Sequence, residues 1–266
     1  MIKNLIKKYF INKFKISKVD KVEEVEGVNE VDKANEVNEI QEIIEDRKEN
    51  NNKLIRINPR YKVYTDTVKI LSHPENSQLD NKLSPNSACN VTALQIAMSL
   101  DCSITDDELF ILCNSKEIAE RVKKKYPKDW SWIKNFFTRN CANEVWVVLE
   151  EVCKYIIGND YCKIIHNLSV QKIIDEINMG YAVVVNGKFT HSGHFVTIVG
   201  YDLNKGSYIV NDPFGDWNTR YKVKKFLNLE YSIEKLKIRN IREKNKESFL
   251  SNMAILVHSD RRIPAK

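Results

Sequence analysis

The pattern of apolar positions divides the chain of 266 residues into three parts. In residues 1–18, apolar side chains recur at helical spacing among lysines, which predicts a basic amphipathic segment. In residues 19–52, valine, alanine and isoleucine recur every three positions between acidic and amide side chains. Because an α-helix repeats about every 3.6 residues, this stripe would circle the helix surface instead of facing one partner. We therefore interpret residues 19–52 as an acidic low-complexity tether and expect one folded domain over residues 53–266.

Helical patterns come first in this domain, and strand patterns follow. Helices are predicted over residues 89–100, after a capping box formed by Thr105 and Glu108, over 143–157 and over 169–179. Strands are predicted over 181–185, 195–199, 208–210 and 253–257, with turns at Asn186-Gly187 and at 204–206. This order predicts an α+β fold, in which a helical N-terminal half packs on an antiparallel sheet.

Composition excludes several classes of protein. A hydrophobic content of 42% with 9% aromatic residues is too high for a disordered chain. The six cysteines contain no Cys-x-x-Cys pair and do not form a disulfide scaffold. No apolar run approaches the roughly 20 residues that span a bilayer, and the N-terminus lacks the apolar core of a secretory signal. We therefore expect a cytoplasmic protein or, if a phage encodes it, one carried in the virion or released by lysis.

The formal net charge of +6 is the remainder of three opposed segments. Residues 1–18 hold six lysines and no acid, and residues 19–52 hold four basic and twelve acidic residues. Residues 53–266 hold 32 basic and 24 acidic residues, a net charge of +8. The basic segment could contact a membrane surface. A net charge of +6 would by itself suggest a nucleic-acid partner. Because this value is only the remainder of three opposed segments, we expect no such partner.

Three short stretches carry candidate chemistry. Cys89 opens an apolar helix, where unpaired N–H groups and the helix dipole favour a thiolate. His194 follows a glycine at the start of a buried strand, and Asp212 ends the next strand. If these strands pair antiparallel, Asp212 lies beside His194. A thiol, an imidazole and an orienting carboxylate form an activated nucleophile.

These stretches resemble the C39-like cysteine peptidases of the papain-like superfamily. The matching residues are Cys89 with Thr92, Gly193-His194 with Gly200-Tyr201, and Asn211-Asp212-Pro213. The resemblance implies a papain-like fold with Cys89 as nucleophile, His194 as general base and then acid, and Asp212 as its orienting residue.

The resemblance also implies a side chain upstream of the cysteine that binds the oxyanion. Gln78 is the best candidate, with Asn81 and Asn86 as substitutes, although Gln78 is more distant from the cysteine than is usual in papain-like enzymes. Asn90-Val91 stands where many members have Gly-Pro after the cysteine, which we interpret as a subfamily difference.

The expected function is that of a cysteine peptidase, which hydrolyses a peptide or amide bond through a covalent thioester and needs no cofactor or metal. Its partner would be a peptide, protein or peptidoglycan substrate; the composition, rich in lysine, asparagine and isoleucine, suggests a bacterial or phage origin. The alternative is a non-hydrolytic papain-like protein, either an acyltransferase or a catalytically silent binding module.

Two further possibilities stay open. Cys162 with His166, and His191 with His194, could bind a metal, and the aromatic residues of 126–137 with Trp217 could line the substrate cleft or pack the core.

Overall fold

The structure, a computed structural model, describes residues 66–98, 104–236 and 250–258. The predicted basic segment 1–18 and the acidic tether 19–52 lie outside these residues, as does the predicted domain boundary at residue 53.

Six helices precede or interrupt the strands of the described chain. They are α1 (Cys89–Met98), α2 (Asp106–Cys113), α3 (Lys116–Lys125), α4 (Trp130–Thr138), α5 (Trp146–Ile157) and α6 (Val170–Asn178). The predicted capping box is confirmed, since the Thr105 hydroxyl accepts from the Glu108 N–H and the Glu108 carboxylate accepts from the Thr105 N–H. No prediction covers helices α3 and α4, which bury few residues: Ile118 and Val122 in α3, and Ile133 in α4.

In the described part of the chain, seven strands form one sheet in which every pair is antiparallel. They are β1 (Val68–Ile70), β2 (Cys162–His166), β3 (Tyr181–Gly187), β4 (His194–Asp202), β5 (Ser207–Asn211), β6 (Leu229–Ser232) and β7 (Leu250–His258). The order is β2-β7-β3-β4-β5-β6, and β1 pairs with residues 200–202 of β4, beyond the end of β3. This mixture of helices with an antiparallel sheet confirms the α+β class.

One predicted turn is wrong. Asn186 and Gly187 belong to β3, where they pair with Phe195 and His194. The chain reverses instead between residues 188 and 193, where Thr190 binds the backbone of Gly193 through both its hydroxyl and its carbonyl. Pairing along the whole strand therefore outweighs the local turn preference of Asn-Gly.

The sheet separates two apolar cores. Alternate residues of β3 face opposite sides, so Ala182 and Val184 pack with helices α1 to α5, whereas Val183 and Val185 pack with α6. Helix α1 is buried along most of its length and lies against β4, where the Thr197 hydroxyl donates to the Ala93 carbonyl at 2.7 Å. Within the described ranges, no helix is long and apolar enough to cross a membrane.

Gly200 allows β1 to approach β4 closely. A Cβ atom at this position would lie 2.4 Å from the Lys69 carbonyl oxygen and 3.0 Å from the Ile70 Cα. Both atoms belong to the backbone of β1, so the contact cannot be relieved by the movement of a side chain.

We predict that Gly200→Ala lowers the free energy of unfolding by about 1–3 kcal/mol, measured by chemical denaturation. Lys69→Ala, which leaves the backbone of β1 in place, serves as the control. Equal stability of the Gly200→Ala and wild-type proteins would contradict this packing.

Candidate active site

Cys89 lies at the first position of α1 and is half-buried. The helix start is fixed by its neighbours: the Asn90 side chain donates to the Asn143 carbonyl, and the Thr92 hydroxyl donates to Asp106 at 2.7 Å. The N–H groups of Val91 and Thr92 donate to the Asn90 side chain and the Ala88 carbonyl, so the donors that the helix start offers are the N–H groups of Cys89 and Asn90. This placement favours an anion at or next to the sulfur.

Asp212 is fully buried and follows directly after β5. Its Oδ1 lies 2.7 Å from Nε2 of His194, which is 3% exposed. The pairing of β4 with β5 is antiparallel, as expected from the sequence, and it brings these two side chains together. The preceding Asn211 fixes the surrounding loops, since its side chain donates to the Pro74 carbonyl and accepts from the Asn228 N–H.

The surroundings of His194 favour its charged form. Burial alone would lower the pKa of His194, but the negative charge of Asp212 and hydrogen bonds to Asp212 and Cys89 outweigh it. Together they raise the pKa of His194 from 6.5 to about 9, so the ring is an imidazolium at neutral pH. Because Nε2 is bound to Asp212, Nδ1 is the nitrogen left for the Cys89 thiol.

Gln78 is 3% exposed and lies in a short 3-10 helix, Gln78–Asp80. Its backbone N–H donates to the Pro213 carbonyl at 2.9 Å, which holds it next to the turn that carries Asp212. The side-chain Nε2 donates to the Pro85 carbonyl at 2.9 Å and keeps a second N–H. Asn81, one of its two predicted substitutes, instead caps the following loop by accepting from the N–H groups of Leu83 and Ser84.

A cleft of about 620 Å³ connects these residues. Amide and hydroxyl side chains dominate its lining, and Phe195 and Phe214 supply its aromatic surface. The lining residues are Gln78, Asn86, Ser87, Cys89, Asn90, Glu144, Asn186, Thr190, Ser192, Gly193, His194, Phe195 and Phe214. The cleft thus includes the predicted residues Gln78, Cys89 and His194 together with Asn86, whereas Asp212 lies buried behind His194.

The aromatic segment 126–137 does not contribute to this lining. Trp130, Phe136 and Phe137 pack against the helical core, and Trp132 is 57% exposed. Trp217 packs edge-on against Phe189, 5.4 Å away between ring centroids. Of the two interpretations open from the sequence, core packing is observed for most of these aromatic residues, whereas Trp132 neither lines this cleft nor is buried.

The possible metal ligands are also dispersed. Cys162 is buried in β2 and contacts the Glu150 carbonyl, while His194 is bound to Asp212. Among the residues that the structure describes, no group of three His, Cys, Asp or Glu side chains could hold a metal ion.

Sequence reasoning missed two tyrosines at this site. The Tyr231 hydroxyl donates to Oδ2 of Asp212 at 2.8 Å, and the Tyr221 ring lies edge-on to His194, 5.8 Å away. Neither residue belongs to a recognisable motif. Tyr231 reaches the site only because β6 pairs with β5.

A cysteine at a helix start, in one cleft with a histidine that a buried carboxylate binds, is typical of sites that use a thiol as nucleophile. The chain belongs to the Peptidase_C39-like family, whose profile matches residues 70–237. This membership indicates a cysteine peptidase.

Among solved structures, the chain is similar to a Bacillus anthracis protein assigned to the C39-like peptidases. The two share 14% sequence identity with a TM-score of 0.43, and the match covers 71% of this chain and 96% of the other. No curated protein has significant sequence similarity to the chain.

The neighbouring imidazolium should make Cys89 the most reactive of the six cysteines. We predict that iodoacetamide at pH 6.5 labels Cys89 at least about tenfold faster than Cys141, because His194 stabilises the reactive thiolate. Cys141 is the internal control, since it is half-buried to a similar degree, whereas Cys113, Cys153 and Cys162 are buried. Peptide mapping by mass spectrometry measures all rates in one sample. Equal labelling of Cys89 and Cys141 would refute the proposed thiolate.

The charge of Asp212 should control the titration of His194. In the wild type, the imidazolium is present below pH 9 and is lost as the pH rises through about 9. Asp212→Asn removes the attracting charge and leaves burial, which lowers the pKa of His194. The loss of the proton should therefore move to lower pH, as followed by NMR of carbon-labelled histidine. An unchanged titration in Asp212→Asn would show that another group sets the charge of His194.

Proposed function

We propose that this protein is a cysteine peptidase that hydrolyses a peptide or amide bond through a Cys89-His194-Asp212 triad in a papain-like arrangement. The observation that carries the proposal is the 2.7 Å contact of His194 with buried Asp212, on a ring that lines the same cleft as Cys89. This arrangement supplies a nucleophile, a proton carrier and a group that orients the carrier.

In the first half of the reaction, the Cys89 sulfur attacks the carbonyl carbon and forms a carbon–sulfur bond. The carbonyl oxygen becomes an oxyanion, stabilised by the backbone N–H of Cys89 and the free N–H of the Gln78 side chain; such donors contribute about 3 kcal/mol each. The carbon–nitrogen bond then breaks as His194 donates its proton to the leaving amine. A thioester to Cys89 remains.

In the second half, His194 accepts a proton from water, and the water oxygen attacks the thioester carbon. The carbon–sulfur bond breaks and releases the carboxylic acid product. The thiolate and the imidazolium are restored, so protons and electrons balance over the cycle. Asp212 keeps the imidazole ring in one orientation throughout.

The lining of the cleft and the charge of the chain both bear on the substrate class. The amide and hydroxyl side chains that line much of the cleft are compatible with a peptide backbone, which needs hydrogen-bond partners along its length. The net charge of +8 over residues 53–266 would attract an anionic polymer. A peptide of a bacterial cell wall, cleaved by an enzyme of bacterial or phage origin, combines both features.

The function is tested by incubating the full chain with purified peptidoglycan and, in parallel, with a peptide library in oxygen-18 water. We expect cleavage products with oxygen-18 in the new carboxylate, and a decrease of at least about 10³-fold in Cys89→Ala and His194→Ala. Both variants should keep the wild-type circular dichroism, and Cys141→Ala should keep full activity.

Two results would contradict the proposal. Full activity of Cys89→Ala would exclude the thioester route. Products that lack oxygen-18 would favour the acyltransferase alternative, because an acceptor other than water would then have taken the acyl group.

A further inference from the structure

Tyr231 is fully buried on β6, at the edge of the sheet opposite to β2. Its hydroxyl contacts three groups of the turn after β5: Oδ2 of Asp212 at 2.8 Å, the backbone N–H of Trp217 at 2.9 Å and the Gly215 carbonyl at 3.3 Å. The strand that carries Tyr231 is therefore connected directly to the buried carboxylate.

The hydroxyl proton of Tyr231 is directed at Asp212. The Trp217 N–H donates to the hydroxyl oxygen, so the single proton of the hydroxyl serves either Asp212 or Gly215. The Asp212 contact is shorter, and a hydrogen bond to a charged carboxylate is about twice as strong as one to a neutral carbonyl.

This donor completes the surroundings of Asp212. Oδ1 receives two donors, Nε2 of His194 and the Phe214 N–H at 2.9 Å. Among the described residues, Tyr231 is the donor recorded for Oδ2. Without it, a fully buried charge would keep an unsatisfied oxygen, and the carboxylate could turn away from His194.

We propose that Tyr231 is a positioning residue, which fixes the buried Asp212 carboxylate in the orientation that binds Nε2 of His194. This role rests on the proposed catalytic triad and acts only through Asp212.

Tyr201 provides a matched control. It is also fully buried, on the neighbouring strand β4, and the register aligns Tyr201, Tyr208 and Tyr231 across three strands. The Tyr201 hydroxyl hydrogen-bonds Asn178 and the Asp66 carbonyl, and so makes contacts comparable to those of Tyr231 without touching the candidate site.

The test compares the alkylation of Cys89 by iodoacetamide at pH 6.5 and at pH 9.5 in the full-length protein. In Tyr231→Phe, we expect the rate at pH 6.5, divided by the rate at pH 9.5, to fall towards the same ratio measured for Cys141, because a carboxylate that is free to turn away no longer holds His194 in place next to Cys89. In Tyr201→Phe, this ratio should stay at the wild-type value. A general loss of stability would change the alkylation rates at both pH values, and in both variants. It would therefore not lower the ratio of the two rates in Tyr231→Phe alone.

A second variant retains the packing of the ring. Replacing Tyr231 by 3-fluorotyrosine makes the hydroxyl a stronger donor, so the ratio should equal or exceed the wild-type value. Adding Tyr231→Phe to Asp212→Asn should change the ratio no further, because the hydroxyl acts through the carboxylate.

The outcomes separate this proposal from the proposed function. An unchanged ratio in Tyr231→Phe, an equal fall in Tyr201→Phe, or a fall with 3-fluorotyrosine would each refute the role of Tyr231. The alkylation assay needs no substrate, so it also tests the proposed function by itself. A wild-type protein in which Cys89 reacts no faster than Cys141 would refute the catalytic triad rather than the role of Tyr231.

Discussion

The candidate site depends on one buried charge. A carboxylate as fully buried as Asp212 is costly unless donors surround it. Its donors come from three places: His194 at the start of β4, the Phe214 N–H in the turn after β5, and Tyr231 on β6. Because these groups meet only when β4, β5 and β6 are paired, formation of the sheet and satisfaction of the charge require each other. The result is that the His194 imidazolium is held in place next to the Cys89 thiol.

Helix α1 completes the arrangement from the other side of the cleft. The helix lies across β4, where the hydroxyl of Thr197 binds the Ala93 carbonyl, and its first turn is held by Asn90 and Thr92. The start of α1, which carries Cys89, and the start of β4, which carries His194, are therefore both held in place. Precise placement of reacting groups on regular elements favours catalysis, because little reorganisation remains at the moment of reaction.

Much of this site follows from local sequence. The Gly-His strand, the turn at 204–206 and the Asn-Asp-Pro ending place His194 beside Asp212 with only one assumption, the pairing of two consecutive strands. Other parts depend on contacts distant in sequence. Tyr231 enters through the pairing of β6, and Gln78, eleven residues before Cys89, reaches the cleft because its backbone binds Pro213 and its side chain binds Pro85. The Asn186-Gly187 turn was mispredicted for the same reason, since sheet pairing decided the local conformation.

The site depends on an imidazolium that buried Asp212 holds next to Cys89. Nitrogen-15 NMR of labelled histidine at pH 7 reports the protonation of the two ring nitrogens of His194 and so measures this charge directly. Because the pKa of His194 is raised to about 9, both ring nitrogens should carry a proton in the wild type. A ring with only one protonated nitrogen at pH 7 would show that Asp212 does not hold His194 in its charged form.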